Sequence, residues 1–426
     1  MKISAMKEYI LAGKLDSVLI RLYGSQNLEM QRERYFAAME QFSSLYGDDR
    51  DVSLFSVPGR SELSGNHTDH NLGKVIAASV DLDMIAVASP RTDSVVRLKS
   101  EGFSEDVVEF SSEFAPNEAS YGRSSALISG VLAGFSSRGY GFGGFDAYTT
   151  SNVPKGSGLS SSAVFENMIG TILNEFYNGG EVSLVEIAKI SQSAERDFFG
   201  KPCGLMDQLA CALGGVVAID FREPFDPEIE RISLDLDERG YRLCIVNTGG
   251  NHADLTDDYA AVPAEMKSVA SALGKSVLRE VDEHEFLTAL PTIRKTLGDR
   301  AVLRAMHFFA ENARVEKQKE MLISEDFDGF LLQVIASGRS SFCYLQNVYA
   351  AKNPTEQGIS LALCLAEAQL SGVGAWRVHG GGFAGTVQAY VPTLLTSEFQ
   401  TKMEQVFGEG SCTVLRIRAE SAMKIL

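Results

Sequence analysis

The stretch PKGSGLSSSA, residues 154–163, constrains this chain more than any other. It follows FDAYTT (145–150), which reads as a strand, and it precedes Phe165, Met168, Ile169, Ile172, Leu173 and Phe176. Those six fall at i, i+3, i+4, i+7, i+8 and i+11, one face of an amphipathic helix stopped at Asn178-Gly179-Gly180. A glycine- and serine-rich loop between a strand and a helix start can bring backbone N–H groups close to an anion, and the helix N-terminus adds partial positive charge. Three consecutive serines add hydroxyls for phosphate or Mg²⁺. The same pattern also suits a serine-capped helix after a turn. It is not a Walker A loop, because no GK[ST] follows at the right spacing, and Gly274-Lys275-Ser276 lacks the required glycine at position 269.

Three further segments carry candidate chemistry. Ser183 and Glu186 stand in capping-box spacing ahead of a helix whose apolar stripe is Leu184, Ile187, Ala188, Ser191, Ala194 and Phe198. Glu195 lies four residues after Ser191 on that inward stripe, a costly position for a carboxylate unless it is paired or metal-bound. Between LFSVPGR, read as a strand ending in a Pro-Gly turn, and the strand VIAASVDLDMIAVAS (75–89) runs a polar loop holding Glu62, Asn66, His67, Asp69 and His70. Its alternating donors and acceptors suit a sugar, while no HxH or HExxH spacing supports a metal; an ordinary surface loop also fits. Asp207, in CGLMDQ, by itself reads more readily as a helix-start carboxylate than as a base. His67, His252 and His379 can each be satisfied structural histidines. Gly380–Gly385 formally matches GxGxxG, but the strand-like TVQAYV follows instead of a helix, so a tight turn backing the phosphate site, or a purely structural β-turn, is expected rather than a dinucleotide site.

With 426 residues, 45% hydrophobic and 22% charged, the chain suits two domains of about 200 residues with a cleft between them. The boundary is expected near 215–240, giving residues 1–225 and 226–426. A net charge of −17 argues against a broad nucleic-acid or anionic-membrane surface. The N-terminal segment lacks a signal-peptide pattern, and no apolar run approaches the roughly 18 residues of a membrane span. Six scattered cysteines fit a reduced cytoplasmic protein. Asn66-His67-Thr68 is then a chance glycosylation sequon.

Taken together, four segments in order resemble the galactokinase family of the GHMP kinase superfamily. PGRSELSGNHTDHN resembles the signature PGRVNLIGEHTDYN, and NVPKGSGLSSSA the nucleotide loop NVPxGxGLSSSA. SAERDFFGKPCGLMDQ is similar to AExxFxGxxCGxMDQ, and WRVHGGGFAGT to RMTGGGFGGC. The resemblance extends over nearly the whole chain, including RYFAAMEQFSSLYG and HFFAENARV. It implies an α+β fold of two domains, a ribosomal S5 domain 2-like N-terminal one and a ferredoxin-like C-terminal one.

The resemblance also implies roles. Asp207 would be the catalytic base facing an anomeric hydroxyl, and Arg60 would keep it ionised. Gly156, Ser157, Gly158, Leu159, Ser160, Ser161 and Ser162 would cradle the phosphates of ATP, with Mg²⁺ on Ser162 and Glu195. Asn66, His67, Thr68, Asp69, Gly204 and Tyr259 would contact the sugar. The expected partners are a small sugar and ATP, without nucleic acid or membrane, for a monomer or weak oligomer. The sequence departs from the signature at Glu62 (family Asn), Asn66 (family Glu) and His70 (family Tyr). An amide at 66 removes a negative charge and adds a donor, so galacturonate or another altered galactose stays open beside galactose. A sugar sensor without turnover is the alternative of another class.

Overall fold

The computed structural model describes residues 1–111, 114–154, 158–250, 255–383 and 385–426. Two sheets organise it. The first is built from β1 (Ser53–Ser64), β2 (Lys74–Pro90), β3 (Val95–Ser100), β4 (Glu105–Glu109), β5 (Phe145–Ser151), β6 (Val216–Asp220), β7 (Glu228–Ile232) and β12 (Met423–Lys424). Its main path runs β12-β1-β2-β5-β3-β4, with β6 and β7 branching from the other end of β2. The second comprises β8 (Tyr241–Asn247), β9 (Ala375–His379), β10 (Thr386–Pro392) and β11 (Cys412–Leu415), in the order β11-β8-β10-β9.

The long apolar strand read over 75–89 is β2, and its alternation sorts side chains to opposite faces. Ile85 and Val87, with Leu54 and Tyr148, pack under the N-terminal helices Ile3–Leu11, Asp16–Tyr23 and Leu28–Tyr46. Phe55, Val57, Met84 and Ala86 join the opposite core, together with Ile169 and Ile172 of the helix Ser161–Tyr177. That core continues into the second sheet through Leu243, Ile245, Ala375, Tyr390 and Leu415. One hydrophobic interior therefore backs both sheets, so the loops at their shared edge are held in fixed relation.

The strand starting near Leu54 does not end at Pro58-Gly59. β1 continues to Ser64, and its pairing with β2 slips between Pro58 and Arg60 and again between Glu62 and Ser64. Proline has no N–H to give the ladder, and a bulge absorbs the irregularity without ending the strand. Glycine fits tightly at position 59, where a Cβ would lie 3.3 Å from both the Leu159 and Leu82 carbonyl oxygens. The close approach lets Arg60 N–H donate to Leu159 O at 3.3 Å. Elsewhere the expected elements form: the helices Asp299–Ile323 and Gly358–Leu370, and the hairpin β9–β10 around the Gly380 turn.

A buried polar cluster fixes the entry to the glycine–serine loop. Asp83 accepts from Tyr23 Oη at 2.5 Å, Arg34 Nη1 at 2.6 Å, Arg418 Nη1 at 3.2 Å and Ser56 Oγ. Its backbone exchanges hydrogen bonds with Asn152, at 2.8 Å from Asp83 N to Oδ1 and 3.1 Å from Asn152 N to Asp83 O. Burial pushes this carboxyl upward, but Arg34 and Arg418, with Ser56 and Tyr23, outweigh it and hold it below the ordinary aspartate value. A depressed folded-state pKa adds stability that is present at neutral pH and lost as pH falls through that value. Asp83→Asn should lower urea-unfolding stability at pH 7 by about 3–5 kcal/mol, because two buried guanidinium groups lose their counter-charge. An unfolding midpoint equal to the parent's would contradict this.

Candidate active site

Arg60 leaves β1 just after the bulge, and its side chain is almost fully buried. Asp207 occupies the first turn of the helix Met206–Leu213. The guanidinium grips the carboxylate in a two-point pair, Nε to Oδ1 at 2.8 Å and Nη2 to Oδ2 at 2.7 Å, while Nη1 donates to Gly158 O. Ser160, held with φ 60° and ψ 58°, donates its hydroxyl to Asp207 Oδ2. A non-glycine residue in the left-handed region is strained, and such strain persists where surrounding contacts over-determine it. Burial raises the Asp207 pKa, but the Arg60 charge and the Ser160 and Arg60 hydrogen bonds more than offset this and hold it below the usual aspartate value. Its side chain keeps 34% exposure, so the ionised carboxylate is partly open to solvent.

The second group forms around Glu195. Ser183 caps the helix Leu184–Ser193 by accepting from Glu186 N, and a π-turn at Ala194–Phe198 then carries Glu195 inward, 2% exposed. Ser162 Oγ donates to Glu195 Oε1 at 2.8 Å. Two partners were not singled out from the sequence: Lys201 Nζ, 2.7 Å from Oε1, and Gln208 Nε2, 2.8 Å from Oε2. Gln208 also donates to Glu166 at 3.2 Å. Glu166 is fully buried and held well above the ordinary glutamate value, first by burial and then by the charge of Glu195. Its i, i+4 spacing from Ser162 on one helix was the available signal. The Ser162 hydroxyl and the Glu195 carboxylate are hard oxygen donors of the kind magnesium takes, and here the Lys201 ammonium supplies the positive charge against Glu195.

The third group is the polar loop. Gly65, at φ 93°, has the Lys74 carbonyl where a Cβ would stand. Thr68 Oγ1 closes the loop on Gly65 O at 2.9 Å and Lys74 O at 2.6 Å. His67 Nε2 donates to Gly381 O at 3.1 Å, and its pKa is drawn down to about 4, chiefly by burial and then by His70, so the ring is neutral. Asp69 lies against Gly204, where any Cβ would strike its carboxylate. Tyr259 Oη donates to Gly382 O at 3.0 Å, with its ring edge-on to Phe383. His379 is a satisfied structural histidine, sharing hydrogen bonds with Ser61 and Thr386, each at 3.0 Å.

Two of the residues expected on the sugar side are engaged by protein partners. Asn66 is fully buried, and its amide is consumed by protein: Nδ2 donates to Gly380 O at 2.7 Å, and Oδ1 accepts from Asn347 at 2.9 Å and Ser341 at 3.2 Å. Thr68 is likewise buried, with its hydroxyl spent inside the loop. Both brace the loop. Gly156 and Ser157 lie outside the described residues, as does His252. The rest converge. Gly204 is three residues before Asp207, Asp69 adjoins Gly204, His67 and Tyr259 meet at the Gly381–Gly382 turn, and a Cβ on Gly158 would lie 3.0 Å from His379.

This arrangement of fold and phosphate loop defines a GHMP kinase: residues 126–215 match the GHMP kinases N terminal domain, and residues 40–90 match the galactokinase galactose-binding signature. The chain is 31% identical to the galactokinase of Streptomyces coelicolor, over 89% of this chain and 94% of that protein. It is 32% identical to the galactokinase of Actinobacillus pleuropneumoniae serotype 3, over 83% of this chain and 89% of that one. The crystal structure of Lactococcus lactis galactokinase complexed with galactose superposes with a TM-score of 0.78 at 26% identity, covering 92% of this chain and all of that one. The chain belongs to the galactokinase family.

Arg60→Met tests the electrostatics of the pair. Without the guanidinium, burial dominates, and the Asp207 carboxyl should rise above the ordinary aspartate value in a carbon-13 NMR titration. An Asp207 that still titrates below that value would show that Arg60 does not control its charge.

Proposed function

We propose that this chain is an ATP-dependent galactose 1-kinase, transferring the terminal phosphoryl group of ATP to the anomeric hydroxyl of galactose. The observation that carries the reading is the ionised Asp207, clamped by Arg60 between a serine-rich phosphate loop and the loop of His67 and Asp69. Residues 1–225 supply those loops, and residues 226–426 supply the wall of Tyr259 and the Gly380–Gly382 turn.

Chemistry in such a site is mainly positioning and charge neutralisation. Asp207 orients the anomeric hydroxyl and accepts its proton as the new O–P bond forms and the bond to the leaving ADP breaks. A carboxylate held below its ordinary pKa is a weak base, which suits a loose transition state in which the proton leaves late. Arg60 keeps Asp207 charged and lies close enough to the loop to oppose negative charge on the transferred group. The backbone from Gly158 to Ser162 and the helix N-terminus at Ser161 cradle the phosphates, with Gly156 and Ser157 expected to join them. His67, Asp69, Gly204 and Tyr259 line the sugar side. Ser162 and Glu195 would hold Mg²⁺, and when bound it neutralises phosphate charge. Lys201 already holds a positive charge against Glu195. All six cysteines are free, which fits a reducing cytoplasm. Among the described residues no helix is long and apolar enough to cross a membrane.

A coupled assay of ADP release with galactose, galacturonate, N-acetylgalactosamine and glucose should show turnover led by galactose. Asp207→Asn should remain folded and lose about 100-fold or more in kcat. Near-parental activity in that variant would remove Asp207 from the mechanism, and thermal stabilisation by galactose and ATP without ADP release would indicate a sensor.

A further inference from the structure

The two oxygens of Glu195 have different neighbours. Gln208 Nε2, which also donates to the buried Glu166, holds Oε2 at 2.8 Å, while Oε1 receives both Ser162 Oγ at 2.8 Å and Lys201 Nζ at 2.7 Å. Among the described residues Lys201 is the one cation paired with this carboxylate, since Arg60 is committed to Asp207. Glu195 is buried, whereas the Lys201 side chain keeps 57% exposure, so the pair joins a buried anion to a cation with a way back into water. The backbone of Lys201 is held more firmly than its side chain. Its N–H donates to the Glu195 carbonyl at 3.1 Å, Gly200 before it stands at φ 80° with the Tyr121 ring where a Cβ would be, and Pro202 after it favours extended backbone at Lys201. The ammonium also bears on the neighbouring carboxylate: burial and Arg60 act first on Asp207, and the Lys201 charge then adds to the pull that keeps it ionised.

We propose that Lys201 is a tethered counter-ion: it occupies the cation position at Glu195 until a divalent ion displaces it, and so sets the magnesium concentration that the site requires. The inference rests on reading Ser162 and Glu195 as the magnesium ligands. An ion taking both of those donors claims Oε1, the oxygen that the ammonium holds. Two cations at one oxygen repel each other, and Glu195 supplies a single negative charge, so one must leave. Two protein donors leave most of a magnesium shell to water and substrate phosphate, which makes the hold of the protein alone a weak one. Against a weak hold one competing ammonium counts, because the apparent affinity is reduced by the fraction of molecules in which Lys201 has withdrawn. Without the ion, the same ammonium keeps a buried carboxylate from standing uncompensated.

The test titrates MgCl₂ alone into the full chain, at constant ionic strength and without sugar or nucleotide, and follows thermal unfolding of the parent, Lys201→Met, Lys201→Arg and Glu195→Gln. Lys201→Met should unfold below the parent when magnesium is absent, and should reach half of its magnesium stabilisation at a concentration about fivefold lower or less. Lys201→Arg keeps the charge and should need at least as much magnesium as the parent. Glu195→Gln should lose the response, which separates this site from diffuse binding to a chain of net charge −17. If Lys201→Met folds only with magnesium present, a rescue that Glu195→Gln abolishes in the double variant supports the same conclusion. A Lys201→Met chain whose magnesium response is absent, equal to the parent's or weaker would overturn the proposal, as would a response that survives Glu195→Gln. No turnover enters the measurement, so a parent that failed to phosphorylate galactose would defeat the functional reading and leave this titration to decide the role of Lys201.

Discussion

The two-point pair between Arg60 and Asp207 is the interaction on which the site depends. It joins a strand, a loop and a helix start that are distant in sequence, because the same guanidinium also reaches the Gly158 carbonyl. The bulge at Pro58-Gly59 aims Arg60, and the absence of a Cβ at Gly59 lets Leu159 close in behind it. Desolvating a guanidinium and a carboxylate is expensive, and such a pair contributes little net stability against an apolar replacement. What it provides is a carboxylate of fixed charge and orientation beside a phosphate loop. That is a functional return, and it accounts for polar groups occupying a position where hydrophobic packing would fold equally well.

A second constraint is the Gly380–Gly382 turn, which receives the His67 ring, the Asn66 amide and the Tyr259 hydroxyl on three successive carbonyls. Gly381 must lack a Cβ because one would come within 2.6 Å of the Tyr259 ring. The turn belongs to the second sheet and the polar loop to the first, and a single core runs behind both. The C-terminal segment reinforces the join, since β11 pairs with β8, β12 pairs with β1, and Arg418 between them reaches Asp83. The polar loop and the glycine–serine loop are thus held by long-range contacts rather than by either loop alone.

The parts legible in the sequence were those written in local periodicity. Glu195 was placed inward by the stripe from Leu184 to Phe198, and it is buried. The strand–loop–helix around 154–163 and the turn at Gly380 followed from which element came next. Local reading failed at Pro58-Gly59, where proline and glycine punctuate a bulge that only the pairing with β2 reveals. Nor were the partners of Asn66 legible locally, because Gly380, Asn347 and Ser341 come from the far half of the chain. Lys201 escaped notice because it follows Gly200, at φ 80°, and returns to Glu195 through a loop that no helical spacing describes. The identity of Asp207 as more than a helix-start residue came from the resemblance, and the geometry then supplied a physical account of its charge.

The central claim is that Asp207 faces an anomeric hydroxyl and that the phosphoryl group arrives there. The most direct measurement is the structure of the product formed from galactose, ATP and Mg²⁺, read by phosphorus and proton NMR. A phosphorus resonance coupled to the anomeric proton, with one ADP formed per sugar phosphate, is the predicted result. A phosphate on another carbon, or ADP formed without any sugar phosphate, would contradict it.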